Sequence, residues 1–453
     1  MKEPRAILLA GLGYGDEGKG ATVDYLVRQH NAKAVVRYNG GPQAAHNVVT
    51  DDGRHHTFAQ WGSGTFNPGV LTYLSRFMLF NPFNMVKEGD HLVGLGVPDA
   101  FDRLYVDRDA PVVTPYHRAA NRVREQARGV GRHGSCGLGI GETMIDLIEL
   151  GPEAIYVKDL TNASVLRRKL EQVRERKVKA LQEAIYILNG GGNVSAELEI
   201  LLDSGFISTL VEDYQEVSKL FQTVDGGFLA EVLKKGPVVF EGAQGVLLDQ
   251  TYGFQPYTTW TDITYNNAEK LLQDSMFTGE VSKVGVLRAY ATRHGAGPFT
   301  TEDDFLTATY PDLHNGIGEW QGSFRVGNFD LVAAKYALEV IGGIDELALT
   351  CLDRAMHFPE LKLCVGYKTR SCYDDMFEYT DGIATKIKVL SPTTEQHQMR
   401  LANVLNEAIP QYKHIGGMSE FVSTISDELH TTISSLSYGL TVSNREAELV
   451  ALL

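Results

Sequence analysis

The segment Gly11-Leu12-Gly13-Tyr14-Gly15-Asp16-Glu17-Gly18-Lys19-Gly20 constrains this chain more than any other. The apolar run Ala6-Ile7-Leu8-Leu9-Ala10 before it reads as a buried strand. After it, Val23, Leu26 and Val27 fall at helical spacing between Ala21 and His30, and Ala34-Val35-Val36 reads as a second strand. Strand, glycine-rich turn, helix, strand is the setting of a phosphate loop. Such a turn aims backbone N–H groups at an anion, and the helix N-terminus adds partial positive charge.

Gly13 to Lys19 fits G-x-x-x-x-G-K, but Gly20 stands where a phosphate loop has Ser or Thr, so the hydroxyl that usually meets Mg²⁺ is missing. Two carboxylates, Asp16 and Glu17, lie inside the loop instead. A carboxylate beside a triphosphate is repelled unless a cation intervenes or it has a proton to move. Asp16 therefore reads as a metal ligand, a general base, or both. The plain alternative is a solvated acid on a strand–helix turn.

The remaining chain repeats one theme, an apolar strand followed by a small polar loop. Arg37 to Asn47 carries Gln43, His46 and Asn47, and a His there could donate to a phosphate or simply sit on a surface loop. Gly131 to Thr143 is a second glycine-dense loop, with Ser135 and Cys136. Val238-Val239-Phe240 leads into Glu241-Gly242-Ala243-Gln244-Gly245, and Val284 to Leu287 leads into Ala289 to Pro298. Ala348 to Asp353 ends in an acid that could accept paired N–H donors from a guanine edge, or cap a helix. Loops of this kind, gathered at one sheet edge, form a ligand cleft. Helices are expected over Tyr116–Arg128, Ser164–Leu188 and Gln396–Ile409, and from Asn444 to the C-terminus. Arg118 and Arg122, and the basic residues from Arg167 to Lys177, read as solvated faces. With no repeat or linker in view, the expectation is one α/β domain over residues 1–453 around a central, mostly parallel sheet.

Net charge of −15 disfavours nucleic acid as a partner. No window has the length of a membrane span, and Met1 to Arg5 lacks leader architecture. Cys136, Cys351, Cys364 and Cys372 have no pairing or metal spacing and read as reduced thiols in a cytoplasmic setting. His55-His56 has no further ligand at metal spacing.

In their order, Gly15–Gly20, Val35–Gly41, Phe240–Gly245, Ala291-Thr292-Arg293 with Gly295–Phe299, Leu352-Asp353 and Lys362–Val365 resemble the motifs of adenylosuccinate synthetases. That family joins aspartate to the 6-position of inosine monophosphate using GTP and Mg²⁺. The resemblance implies that Asp16 removes the purine N1 proton and ligates Mg²⁺ together with the carbonyl of Ala45. It implies that His46 bonds the GTP phosphates and assists γ-phosphate transfer, over a loop of Gly15, Gly18, Lys19 and Gly20. Asp353, with Ser437 and Gly439, would read guanine. Gln43, Ser135, Cys136, Gln244 and Thr259 would hold the substrate nucleotide, and His294, Ser323 and Arg325 would line the amine-donor loop. A homodimer is implied as well.

The departures from the family pattern lie on the substrate side. A run of arginines is reduced to Arg325 within Glu319–Gly327, an arginine becomes Leu138, and a basic pair is missing near Pro152-Glu153. His-Asn-Ala-Gly-His becomes Pro42-Gln43-Ala44-Ala45-His46, and a further site His is Ala59. Arg132, His133, Arg293 and His294 are available as substitute contacts. These differences leave open a paralogue with another amine donor or purine, and a GTP-binding regulatory protein without ligation.

Overall fold

A computed structural model of the protein describes residues 5–129, 135–190, 196–312, 320 and 322–447. Its strands, in chain order, are β1 (Arg5–Gly11), β2 (Ala34–Arg37), β3 (His46–Val49), β4 (His55–Phe58), β5 (Leu71–Leu74), β6 (Leu104–Asp107) and β7 (Gln222–Val224). There follow β8 (Val238–Gly245), β9 (Glu280–Arg288), β10 (Ala291–His294), β11 (Phe324–Gly327), β12 (Phe329–Asp330) and β13 (Glu346–Thr350). The last are β14 (Leu361–Lys368), β15 (Phe377–Thr380), β16 (Ile383–Ile387), β17 (Ile409–Ile415), β18 (Thr432–Ser437) and β19 (Arg445–Glu446). Four helices bear on the site: α1 (Lys19–His30), α2 (Pro82–Gly94), α3 (Pro115–Arg128) and α4 (Ile140–Leu150).

Ten strands form one sheet in the order β19-β18-β13-β9-β1-β8-β2-β5-β6-β7. Every neighbouring pair is parallel except β18 with β19. A parallel sheet is covered on both faces, which is why its strands read as unbroken apolar runs. Alternate residues of β1 divide between the two faces. Ile7 and Leu9 meet Val23 and Val27 of α1 and Val35 of β2, while Leu8 and Ala10 meet Val36, Phe240 and Leu347. Because the strands run the same way, the loops after β1, β2, β8, β9, β13 and β18 all leave the same edge.

A second, five-stranded sheet has the order β12-β14-β16-β15, with β17 on the free side of β14. It joins the first through helix Leu331–Val340, whose N-cap Asp330 accepts from the Tyr367 hydroxyl at 2.8 Å.

Several sequence expectations are corrected. The helix expected over Ser164–Leu188 is two helices, Ala163–Ala180 and Gln182–Gly190, broken at Leu181. Its basic face is only partly solvated: Lys169 binds Asp159 at 2.8 Å and Lys177 binds Asp146 at 2.9 Å, both buried. Arg122 is no free surface cation either, since it donates to the Gly137 carbonyl at 2.9 Å and stacks on Trp320. In place of a helix from Asn444, Arg445–Glu446 pairs with β18, and residues beyond 447 lie outside the described residues. Arg132, His133, Glu319 and Gln321 also lie outside them.

Candidate active site

The loop between β1 and α1 is organised from beneath by Glu17. One carboxylate oxygen accepts from the backbone N–H of Gly13 at 3.0 Å and of Gly15 at 2.7 Å. The other takes the Lys19 ammonium at 2.6 Å, and Lys19 also donates to the Gly15 carbonyl at 2.7 Å. Lys19 is 1 % exposed. The acid is wedged so closely that a Cβ on Gly11, Gly13 or Gly245 would lie within 2.9 Å of its oxygens. Glu17 thus sets the loop and restrains its lysine, a role that nothing in the linear spacing signals. Gly18 caps α1 in the left-handed region at φ 83°, and the Thr350 hydroxyl at the end of β13 donates to the Glu17 carbonyl at 2.7 Å.

Asp16 is different. Half-buried, it makes no hydrogen bond or ion pair among the described residues. Burial raises its pKa and Glu17 adds to the rise, while Arg288 and Lys19 pull it back. An unpaired carboxylate with a raised pKa is chemically suited to accept a proton near neutral pH. Arg288, at the end of β9, is held by Asp312 at 2.9 Å.

His46 opens β3 instead of riding on a loop, in a hairpin with β4. Its backbone and Cβ press on α1: a Cβ at Gly20 would fall 2.8 Å from the carbonyl carbon and the Cβ of His46. This close approach explains the glycine where a phosphate loop has a hydroxyl. The ring is 5 % exposed and its Nδ1 lies 2.5 Å from Glu241 Oε1. Burial pulls its pKa down to about 4, against the upward pull of Glu241.

Of the residues expected to hold the substrate nucleotide, Gln43 and Gln244 converge on Gly40-Gly41, and each buries an amide oxygen with no partner among the described residues. Gln244 holds a left-handed backbone at φ 58°. Orphaned buried polar atoms call for an explanation, and a ligand is one candidate partner. Ser135 accepts from Asn121 at 3.0 Å. Cys136 packs with Leu79, Val113 and Ile140, and burial raises its thiol pKa. Thr259 is half-buried, fixed by its backbone N–H to the Leu248 carbonyl at 2.8 Å.

Asp353 and Ser437 come from the ends of β13 and β18, paired neighbours with Leu349 beside Leu436. Asp353 makes no hydrogen bond or ion pair among the described residues, whereas the Ser437 hydroxyl donates to the Gly439 carbonyl at 3.0 Å. His294 lies 3.2 Å from the Gly322 carbonyl, and Ser323 is exposed. Arg325 is committed to Glu302 at 2.6 Å and to the carbonyls of Gly295 and Gly297. Arg293, 1 % exposed, is spent on the carbonyls of Ala296 and Pro298 and lies over the Tyr14 ring. It braces a turn and is not available as a substitute substrate contact.

A parallel sheet that delivers a glycine loop, an unpaired acid, a buried His–Glu pair and a second acid to one edge defines a nucleotide-using enzyme of the α/β class. The family model described as adenylosuccinate synthetase matches residues 8–445. Adenylosuccinate synthetase of Chlorobium chlorochromatii is 33 % identical over 377 residues, covering 81 % of both chains. That of Chlorobium phaeovibrioides is 31 % identical, covering 96 % of this chain and 95 % of its own. Among solved structures, fully ligated adenylosuccinate synthetase from Plasmodium falciparum superposes with a TM-score of 0.77 at 20 % identity, over 98 % of this chain and 99 % of that one. Succinoaminodeoxyadenylate synthetase of cyanophage S-2L, bound to dGMP and to dATP as an energy donor, gives 0.59 at 16 %, over 98 % and 96 %. The chain belongs to the adenylosuccinate synthetase family of GTP-dependent ligases. Membership favours ligation over the regulatory reading.

Proposed function

We propose that the protein condenses a 6-oxopurine nucleotide such as IMP with an amino acid, aspartate in the family, at the expense of GTP. The observation that carries this reading is the unpaired Asp16 carboxylate beside a phosphate loop whose lysine and second acid are already paired to each other. A purine 6-oxygen is a poor nucleophile until N1 loses its proton, and Asp16 is the free base at hand. Phosphorylation of that oxygen creates a leaving group, which the amine displaces. The chain's part is positioning and charge stabilisation. Gln43 and Gln244 offer orphaned amide oxygens to the purine, and Asp353 offers a carboxylate to guanine.

Mg²⁺ fits these residues. No group of three His, Cys, Asp or Glu side chains stands ready for a metal among the described residues. Mg²⁺ is commonly held by one or two carboxylates plus nucleotide phosphates, so Asp16 and the Ala45 carbonyl would suffice with a triphosphate. The ion would neutralise phosphate charge. His294 and Ser323 flank the path for the amine, and Arg325 keeps that turn in shape.

We infer a homodimer and a cytoplasmic location, in keeping with the free cysteines and with the absence of any helix long and apolar enough to cross a membrane among the described residues.

Mass spectrometry of 6-oxopurine nucleotides incubated with each amino acid, GTP and Mg²⁺ tests the reaction. The expected result is adenylosuccinate from IMP and aspartate, lost in Asp16→Asn while GTP binding persists. GTP left unconsumed with every 6-oxopurine nucleotide would refute it.

A further inference from the structure

We propose that Glu241 is a positioning residue for His46: a buried carboxylate that fixes the imidazole's orientation and keeps its proton on Nδ1, leaving Nε2 for the nucleotide. The inference rests on the reading of His46 as a group that meets the GTP phosphates.

Glu241 lies on β8, is fully buried, and spends its carboxylate on two residues. Oε1 meets His46 Nδ1 at 2.5 Å and the Ser63 hydroxyl at 2.5 Å, while Oε2 accepts the Ser63 backbone N–H at 2.9 Å. Three donors on a carboxylate favour its ionised form. A fourth influence comes from the strand beside it. Arg37 of β2 is in register with Glu241, is likewise fully buried, and places its charge next to the carboxylate. Arg37 is itself anchored, with Nη1 donating to the Ala59 and Trp61 carbonyls at 3.0 and 3.2 Å. That ties it to the turn that carries Ser63.

An ionised carboxylate has no proton to give. The short contact to His46 therefore requires the proton on the imidazole side, at Nδ1. The tautomer follows, and the second ring nitrogen has no hydrogen-bond partner among the described residues. Carboxylate, imidazole, then reacting group is the arrangement by which a buried acid holds a histidine in one tautomer and stabilises its charged form. Ser63 supplies two of the three bonds that stop the carboxylate from turning.

The sequence gives a weak trace of this. Glu241 opens the polar loop after an apolar strand, but nothing in the sequence links it to a histidine 195 positions away. Parallel pairing of β2 with β8, and the folding back of the β3–β4 hairpin, bring the four residues together.

The test is a double-mutant cycle on the full-length enzyme. Glu241→Gln keeps shape and removes charge, and the background is His46→Asn. In the wild-type background Glu241→Gln is expected to lower kcat for GTP-dependent ligation by 10-fold or more, with KM for GTP changed by less than about 3-fold. In the His46→Asn background the same change is expected to cost less than 2-fold, because the group it positions is gone. Equal losses in both backgrounds would mean a merely structural Glu241 and overturn the proposal, as would full kcat in Glu241→Gln. Should Glu241→Gln fail to fold, Ser63→Ala replaces it in the same cycle. Several-fold loss confined to the His46 background supports the proposal, and equal loss in both backgrounds overturns it. If His46→Asn alone leaves kcat intact, the reading of His46 fails first, which separates the two failures.

Discussion

Gly20→Ser sets two lines of reasoning against each other. By sequence, Ser restores the phosphate-loop hydroxyl and offers Mg²⁺ a ligand. By propensity, replacing a helical glycine with serine stabilises α1 by about 0.5 kcal/mol. The structure predicts loss instead. A Cβ at position 20 would stand 2.8 Å from two atoms of His46 and 3.0 Å from the Asn47 carbonyl oxygen. Carbon contacts are comfortable at about 3.5–4.0 Å, so β3 must retreat by roughly 0.7 Å or more. Its neighbours are backbone, not a flexible side-chain end. Overpacking of this kind costs about 1–3 kcal/mol, which exceeds the propensity gain. The same shift draws His46 off Glu241, and a displacement near 1 Å can cost on the order of 100-fold in rate. Calorimetry should show a Tm lower by about 1–3 °C, and a GTP-dependent ligation assay a kcat down by at least 10-fold. A variant with unchanged Tm and equal or higher kcat would refute the steric reading and restore the hydroxyl one.

Lys19→Met should destabilise the fold by about 3–5 kcal/mol, because it strands the buried Glu17 carboxylate. The pair Glu17→Gln with Lys19→Met should regain much of that in urea unfolding, without regaining GTP affinity by calorimetric titration. Asp353→Asn should weaken GTP by about 10-fold or more while leaving ATP binding unchanged, since a carboxylate is lost opposite guanine donors; equal effects on both nucleotides would argue against a guanine contact. Burial pushes Asp330 up to about 6, above an unfolded value near 4. The folded state therefore disfavours its ionisation, so stability is full below about pH 4 and declines as pH rises to about 6. The decline is at most about 3 kcal/mol. Asp330→Asn, which keeps a helix cap, should flatten that step in stability measured against pH.

The N-terminal half of the site was legible because its constraints are local. A glycine turn between an apolar strand and an amphipathic run dictates a strand–loop–helix unit, and β1, α1 and β2 form where the pattern places them. Charge placement was less legible. Arg122, Lys169, Lys177 and Arg325 look solvated or ligand-directed in a linear string, yet each is matched to a partner remote in sequence. Pairing across elements has no periodicity to betray it. The end of the chain misled for a related reason: Arg445–Glu446 has helical company in sequence but finds an open edge at β18.

What the sequence determined by itself is the order of strands and loops, the phosphate-loop geometry and the presence of an acid within it, since these depend on neighbours a few residues apart. What only the tertiary structure decided is which of two adjacent acids is free. Glu17 is claimed by loop amides and by Lys19, and Asp16 makes no hydrogen bond or ion pair among the described residues. The packing also decided that position 20 must lack a side chain and that His46 has a carboxylate behind it. These outcomes depend on contacts between β3, β8 and α1, and such contacts exist only once the sheet has brought distant segments within a few ångströms.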